Sequence, residues 1–204
     1  MNNNQDELSA AASKQAVLPD HIREVFSAST CLYTRDQINQ SLDTMATEIS
    51  FALSHTNPLL LCVVVGGIVP LGNLLPRLDF PLEVDYVHVT RYGQKIKGGG
   101  LKWIAHPTTS MQGRTILIVD DILDGGVTLA ELVKYCENNG AKAVYSAVLV
   151  DKQASRDPEG LDKADFCGLE VEDRFLFGFG MDYKGYLRNA PGIYMVSESC
   201  EAQG

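Results

Sequence analysis

This chain of 204 residues is short of several things, and each shortage removes a class of protein. Cations are outnumbered: 17 Lys and Arg face 26 Asp and Glu, giving a net charge of −9. That balance argues against a nucleic-acid surface, which needs a clustered basic face. Long apolar runs are missing as well. The longest, LLLCVVVGGIVPLG over 59–72, is broken by glycines and a proline and is too short for a membrane span. The opening residues MNNNQDELSAAASK lack the basic and apolar blocks of a signal peptide. Cysteine is sparse and scattered: Cys31, Cys62, Cys136, Cys167 and Cys200 are odd in number and form no CxxC pair. A reduced, cytoplasmic chain without a metal–thiolate centre is the expected reading. The two commonest nucleotide loops, GxxxxGK[ST] and GxGxxG after a strand, are also absent.

What remains is ordinary for a globular chain, at 45% hydrophobic and 21% charged residues. The length suits one domain with a substantial core. Polar, alanine-rich residues 1–17 are expected to be a disordered tail, with one folded domain over 18–197 and a flexible end over 198–204. Ile38, Leu42, Met45, Ile49 and Leu53 share one face of a helix over 34–54, capped by Thr34 or Asp36. LLLCVVV (59–65) reads as a strand covered on both faces, followed by a helix near 68–77 with Pro70 in its first turn.

EVDYVHVT (83–90) has strand composition, and RYGQKIKGGGLKW (91–103) reads as a basic, glycine-rich loop. TILIV (115–119) and AVYSAVLV (143–150) are further strands. The helix between them carries Val127, Leu129, Leu132, Val133 and Cys136 and stops at Gly140. Short strands and turns follow from about residue 165. Strands alternating with helices imply a parallel sheet covered by helices, with ligands bound outside the carboxyl ends of the strands. Chemistry gathers at three such ends: Gly66-Gly67, the acids and glycines after 115–119, and Asp151-Lys152.

The densest of these is ILIVDDILDGGVTL (116–129). For a lone Asp after a strand, helix capping or a solvated loop charge is as good a reading as a functional one. Paired acids at a strand end also hold Mg2+ in phospho-acceptor folds, but that leaves the following GGVT unexplained. Amides of Gly125, Gly126, Val127 and Thr128 at a helix N-terminus suit a phosphate monoester, with the Thr128 hydroxyl as a further donor. Carboxylates just upstream suit sugar hydroxyls, or Mg2+ held through water. A ribose 5-phosphate satisfies both halves.

This stretch resembles the phosphoribosyl-pyrophosphate (PRPP) motif of the type I phosphoribosyltransferases: an apolar run, two acids, two apolar residues, then Asp-x-Gly-x-Thr. VVVGG (63–67), LVDK (149–152), DRFLFGFGMDYKGYLRN (173–189), CLYTRDQI and HVTRYG resemble the hypoxanthine-guanine branch, bacterial members above all. The resemblance spans roughly residues 20–197. It implies an α/β fold with a central, mainly parallel sheet flanked by helices, a small hood from the N-terminal segment and about 165–197, and a flexible lid over 91–104 that includes Arg91 and Tyr92. It also implies an activity in purine salvage. The 5-phosphoribosyl group would pass from PRPP to N9 of hypoxanthine or guanine, giving IMP or GMP and pyrophosphate with Mg2+ as cofactor.

Residue roles are implied by the same resemblance. Asp120 and Asp121 would bind the ribose hydroxyls and hydrated Mg2+, and Asp124 to Thr128 the 5-phosphate. Asp124 would also be the catalytic acid/base. Val65, Gly66 and Arg188 would meet pyrophosphate, across a Val64–Val65 peptide expected to be cis. Lys152 would donate to the purine O6, Phe175 would stack on the base, and the Leu176 backbone would read its edge. Asp182 would hold a second Mg2+ beside the base. A homodimer or homotetramer is implied; no nucleic-acid or membrane partner is. Two positions depart from the family's habit: Gly125 where Thr is common, and Val65 where Lys or Arg is common. The alternatives are a xanthine-preferring or broad purine transferase, and a regulator of the same fold that binds RNA. The charge of −9 and the presence of Asp124 speak against the regulator.

Overall fold

The computed structural model describes residues 19–91, 101–153 and 156–201. The expected tail over 1–17, residues 202–204, and most of the expected lid with Tyr92 lie outside them. A helix that the sequence reading did not place, α1 (Asp20–Ala28), leads into a short strand, β1 (Thr30–Tyr33). Helix α2 (Arg35–Leu53) then begins at Thr34 with a reciprocal cap. The Thr34 hydroxyl accepts the Gln37 amide while the Gln37 side chain accepts the Thr34 amide, so two orphan donors of the first turn are satisfied. The spaced apolar residues Ile38, Leu42, Met45, Ile49 and Leu53 are all buried on one side of this helix.

Strand β2 (Leu59–Val64) alternates between two cores. Leu59, Leu61 and Val63 face one, and Leu60 and Cys62 face the other, as a strand's two-residue period requires. Helix α3 (Ile68–Leu74) and a 3-10 turn (Leu75–Arg77) follow, then β3 (Glu83–Arg91), β4 (Leu101–Ala105), β5 (Thr115–Leu123), α4 (Val127–Asn138), β6 (Ala143–Lys152) and β7 (Phe166–Val171). These strands form one six-stranded sheet in the order β4-β3-β2-β5-β6-β7. Its pairs are parallel apart from β3 with β4. Helices α2 and α3 cover one face, and Leu129, Leu132 and Cys136 of α4 pack on the other. Gly140, at φ +81°, closes α4 as expected.

The chain ends in a second, antiparallel sheet of order β1-β9-β8, built from β1, β8 (Leu176–Phe177) and β9 (Ile193–Met195). Its own small core holds Ile22, Val25, Phe177, Tyr183, Leu187 and Val196. A four-residue helix, α5 (Glu198–Glu201), occupies part of the end expected to be a flexible tail.

Three further expectations are corrected. Strand β5 does not stop at Val119. It continues to Leu123 because β6 keeps pairing with it through Asp120, Ile122 and Leu123, so the ladder takes up the backbone groups of the acidic stretch. Residues 101–104, assigned to the loop, belong to β4, whose Trp103 and Lys102 pair with Val89 and Thr90. Strand β7, assigned to the hood, is the sixth strand of the main sheet, paired with β6 from Ala147 onward.

Candidate active site

The parallel strands β2, β5 and β6 end side by side at Val64, Leu123 and Lys152, where an open sheet presents its crevice. A cleft of about 360 Å³ lies there. Val64, Gly66, Asp120, Asp121, Asp124, Thr128, Lys152, Phe175, Leu176, Asp182 and Arg188 line it, so the structure brings together most of the residues singled out above. A smaller hollow of about 210 Å³ adjoins it, bounded by residues 120–129, Gly125, Gly126 and Val127 among them. Val65 is absent from the lining and is 45% exposed. Arg91 closes β3, but its side chain and Tyr92 lie outside the described residues.

Asp120 and Asp121 sit inside the sheet at only 9% and 8% exposure. Asp120 accepts the Asp121 amide at 2.9 Å, and the Arg188 guanidinium stands 3.9 Å from the Asp121 carboxylate. Burial pushes the Asp120 carboxyl well above the usual carboxylate range, and the adjacent Asp121 charge pushes it further. Burial raises Asp121 too, with Asp120 and Arg188 pulling the other way. Buried neighbouring acids of this kind call for positive charge. Two hard oxygen donors side by side fit hydrated Mg2+, and water or substrate oxygens would complete its shell. Among the described residues no group of three or more His, Cys, Asp or Glu forms a protein-only metal cage.

The turn after β5 is shaped by what packs behind it. Gly126 caps α4 at φ +82°, and a Cβ there would lie 2.4 Å from the Leu161 carbonyl oxygen. Glycine is therefore required on two counts. Gly66 makes an equally close approach, since a Cβ would come within 2.1 Å of the Asp121 carboxylate. The Val64–Val65 peptide beside it is cis, as expected.

On the opposite wall, Lys152 is 12% exposed at its side chain and bridges two carboxylates, Asp173 at 3.0 Å and Asp124 at 3.3 Å. Asp124 itself is open, with 62% of its side chain exposed. Phe175 is 49% exposed, meets Tyr183 edge-on at 5.7 Å and lines the cleft together with Lys152. Arg188 donates to the Gly180 carbonyl at 2.6 Å and pairs with Asp182 at 2.5 Å; Asp182 also accepts the Gly185 amide at 2.7 Å. As arranged here, Asp182 is an anchor for Arg188. Sequence reasoning missed Asp173, whose position before a short apolar strand carries no signal. It also missed Arg156, which lies four residues beyond Lys152 in an irregular turn.

With this geometry in hand, the relatives are informative. Residues 31–184 match the phosphoribosyl transferase domain family. The chain is 35% identical over 163 residues to the hypoxanthine-guanine phosphoribosyltransferase of Bacillus subtilis (strain 168), covering 79% of this chain and 89% of that protein. It is 31% identical over 168 residues to the hypoxanthine-guanine-xanthine phosphoribosyltransferase of Tritrichomonas foetus, covering 82% and 91%. In fold it matches a solved hypoxanthine phosphoribosyltransferase of Trypanosoma cruzi with a TM-score of 0.80 at 24% identity, over 86% of this chain and 95% of that one.

Proposed function

The chain belongs to the phosphoribosyltransferase family, in its hypoxanthine-guanine branch, and from that premise we propose how its cleft performs purine salvage. The protein is a transferase; the reaction is PRPP plus a 6-oxopurine giving the nucleoside 5′-monophosphate and pyrophosphate. The observation that carries this reading is Lys152 between Asp124 and Asp173, in one cleft with the exposed ring of Phe175, with Asp124 and Thr128 also lining the hollow at the start of α4.

The 5-phosphate would sit in that hollow on the amides of Gly125 to Thr128, where helix dipole and unpaired N–H groups favour an anion. Gly125 offers no hydroxyl, so amides and Thr128 hold the phosphate. Asp120 and Asp121 would take the ribose hydroxyls and hydrated Mg2+. When bound, Mg2+ neutralises the pyrophosphate leaving group. Arg188 and the Gly66 amide flank that end of the cleft, and Asp182 would contribute to a second metal site only if Arg188 turned toward pyrophosphate.

Phe175 stacks on the base and the Leu176 backbone meets its edge. Lys152 donates to O6, and in doing so turns away from Asp124, whose carboxylate is then free to take the N9 proton. N9 attacks C1 as pyrophosphate departs through an oxocarbenium-like state. Adenine presents a 6-amino group with no acceptor lone pair for Lys152, which disfavours it.

Purine-dependent pyrophosphate release, compared at steady state for hypoxanthine, guanine, xanthine and adenine, tests this reading. Release with hypoxanthine and guanine, giving IMP and GMP, is expected; no release with any purine overturns it. Xanthine as the preferred base would give the specificity to a broader transferase. A homodimer or homotetramer, the expected assembly, is measured by sedimentation. No helix among the described residues is long and apolar enough to cross a membrane, which fits the proposed cytoplasmic location.

A further inference from the structure

The turn over 156–162 takes no part in the chemistry above, yet it backs both halves of the site. Arg156, 17% exposed at its side chain, directs its guanidinium at five acceptors. Nη1 donates to the carbonyls of Asp124 at 2.6 Å, Lys152 at 2.8 Å and Leu123 at 3.2 Å. Nε donates to the Asp162 carbonyl at 2.9 Å, and Nη2 donates to the carboxylate of Asp151, itself only 5% exposed.

The same turn continues the pattern down the phosphate loop. The Asp157 amide donates to the Gly125 carbonyl at 2.9 Å, and the Leu161 amide donates to the Gly126 carbonyl at 3.0 Å. Every carbonyl from Leu123 to Gly126 is thus held by a donor. A Cβ on Gly160 would stand 2.1 Å from the Gly125 carbonyl oxygen, so the two turns are in backbone contact. Carbonyls committed on one side of a peptide plane leave the amides on the other. Amides turned outward are what an anion needs at a helix start.

Resting on the proposed reaction, we propose that Arg156 is a positioning residue, fixed by Asp151. It holds the Leu123, Asp124 and Lys152 carbonyls together, so the acid/base, the phosphate amides and the base-recognising lysine move as one unit. The bland alternative is that Arg156 exists to neutralise the buried Asp151. The two differ in what happens when the pair is removed whole. A buried ion pair replaced by apolar residues of similar size is often close to neutral for stability. If neutralisation were the role, the double variant Asp151→Leu, Arg156→Met would be an ordinary enzyme.

Positioning predicts a double variant that folds but loses about a hundredfold in kcat/KM, the scale set by a misplacement of about 1 Å. It also predicts faster amide hydrogen exchange across residues 123–128. Arg156→Lys should recover only part of the activity, because an ammonium with three donors cannot serve five acceptors. Guanidinium added to Arg156→Ala should restore turnover, and methylammonium should not. Near-wild-type kcat/KM in the double variant, with unchanged exchange over 123–128, overturns the proposal. Should that variant fail to fold, Arg156→Lys with full activity, or absence of rescue in Arg156→Ala, overturns it instead. A wild-type protein without purine-dependent pyrophosphate release would sink the reaction while the exchange comparison still judged Arg156.

Discussion

Two sets of buried acids lie on the strands either side of β2, and the protein treats them oppositely. Asp85 on β3 is 9% exposed, as is Asp120 on β5. Asp85 accepts the amides of Tyr86, Thr108 and Thr109 at 2.7, 2.8 and 2.7 Å and the Thr108 hydroxyl at 3.3 Å. Burial alone would raise its carboxyl, but those amide bonds, that of Thr109 foremost, hold it below the usual range. Asp120 receives one neighbouring amide and stands beside a second carboxylate, and its carboxyl is pushed well up. Equal solvent exposure therefore says little about role, since Asp120 also lies far deeper among neighbouring atoms than Asp85. A carboxylate whose lone pairs are filled by its own fold closes a loop onto the sheet. A pair left short of positive charge suits a ligand that brings it.

The largest test extends the comparison to the exposed acid. Asp124→Asn should lower kcat by about 10²–10⁴-fold, the usual worth of a positioned acid/base, while the KM for PRPP changes little. Turnover near wild type would move the chemistry elsewhere. Next, Asp120→Asn should depress kcat/KM yet raise Tm at neutral pH, by about 2–4 °C for each kcal/mol of relieved charge. The sign follows from linkage. A carboxyl raised in the folded state contributes stability that is present below its unfolded pKa and lost as pH rises through the folded value. The Asn variant should accordingly lose less stability than wild type between acid and neutral pH; an equal loss would mean that Asp120 is not raised.

Asp85→Asn should do the reverse. Its folded value is lowered, so its stability is present above the unfolded pKa and lost as pH falls through the folded one. Removing the acceptor charge should cost about 1–3 kcal/mol at neutral pH and leave kcat unchanged per folded molecule. A drop in kcat at full folding would put Asp85 in the site. The smallest effect is a thermal shift with Mg2+ alone. It should raise Tm in wild type and in Asp85→Asn, by binding only the folded state, and should vanish in Asp120→Asn. A shift retained in Asp120→Asn would place the metal elsewhere.

Much of the frame was legible because it rests on local periodicity. The apolar face of residues 38–53 and the continuous runs at 59–64 and 115–119 follow from how often a helix or strand returns to one side. The motif from Asp120 to Thr128 was legible because its glycines and acids are contiguous. β4 was not, since Lys102 and Trp103 follow a glycine run and become a strand only by pairing with Thr90 and Val89. Asp173 was not, because its partner Lys152 lies 21 residues earlier and meets it across the cleft at 3.0 Å. The 45% exposure of Val65 was not legible either, since a place in a motif does not say which way a side chain is turned.

By itself the sequence determined the fold class, the family and the list of chemical groups, because side-chain period, glycine freedom and contiguous acids act over a few residues. Only the tertiary structure decided how those groups are charged and aimed. Asp120 and Asp121 became buried strand residues because β6 kept pairing past Val119. Lys152 acquired two carboxylate partners, and the Leu123 and Asp124 carbonyls were taken up by Arg156, more than thirty residues away. Desolvation and hydrogen-bond direction depend on what the fold brings from a distance. A local pattern can name a carboxylate without saying whether the chain has satisfied it or left it for a substrate.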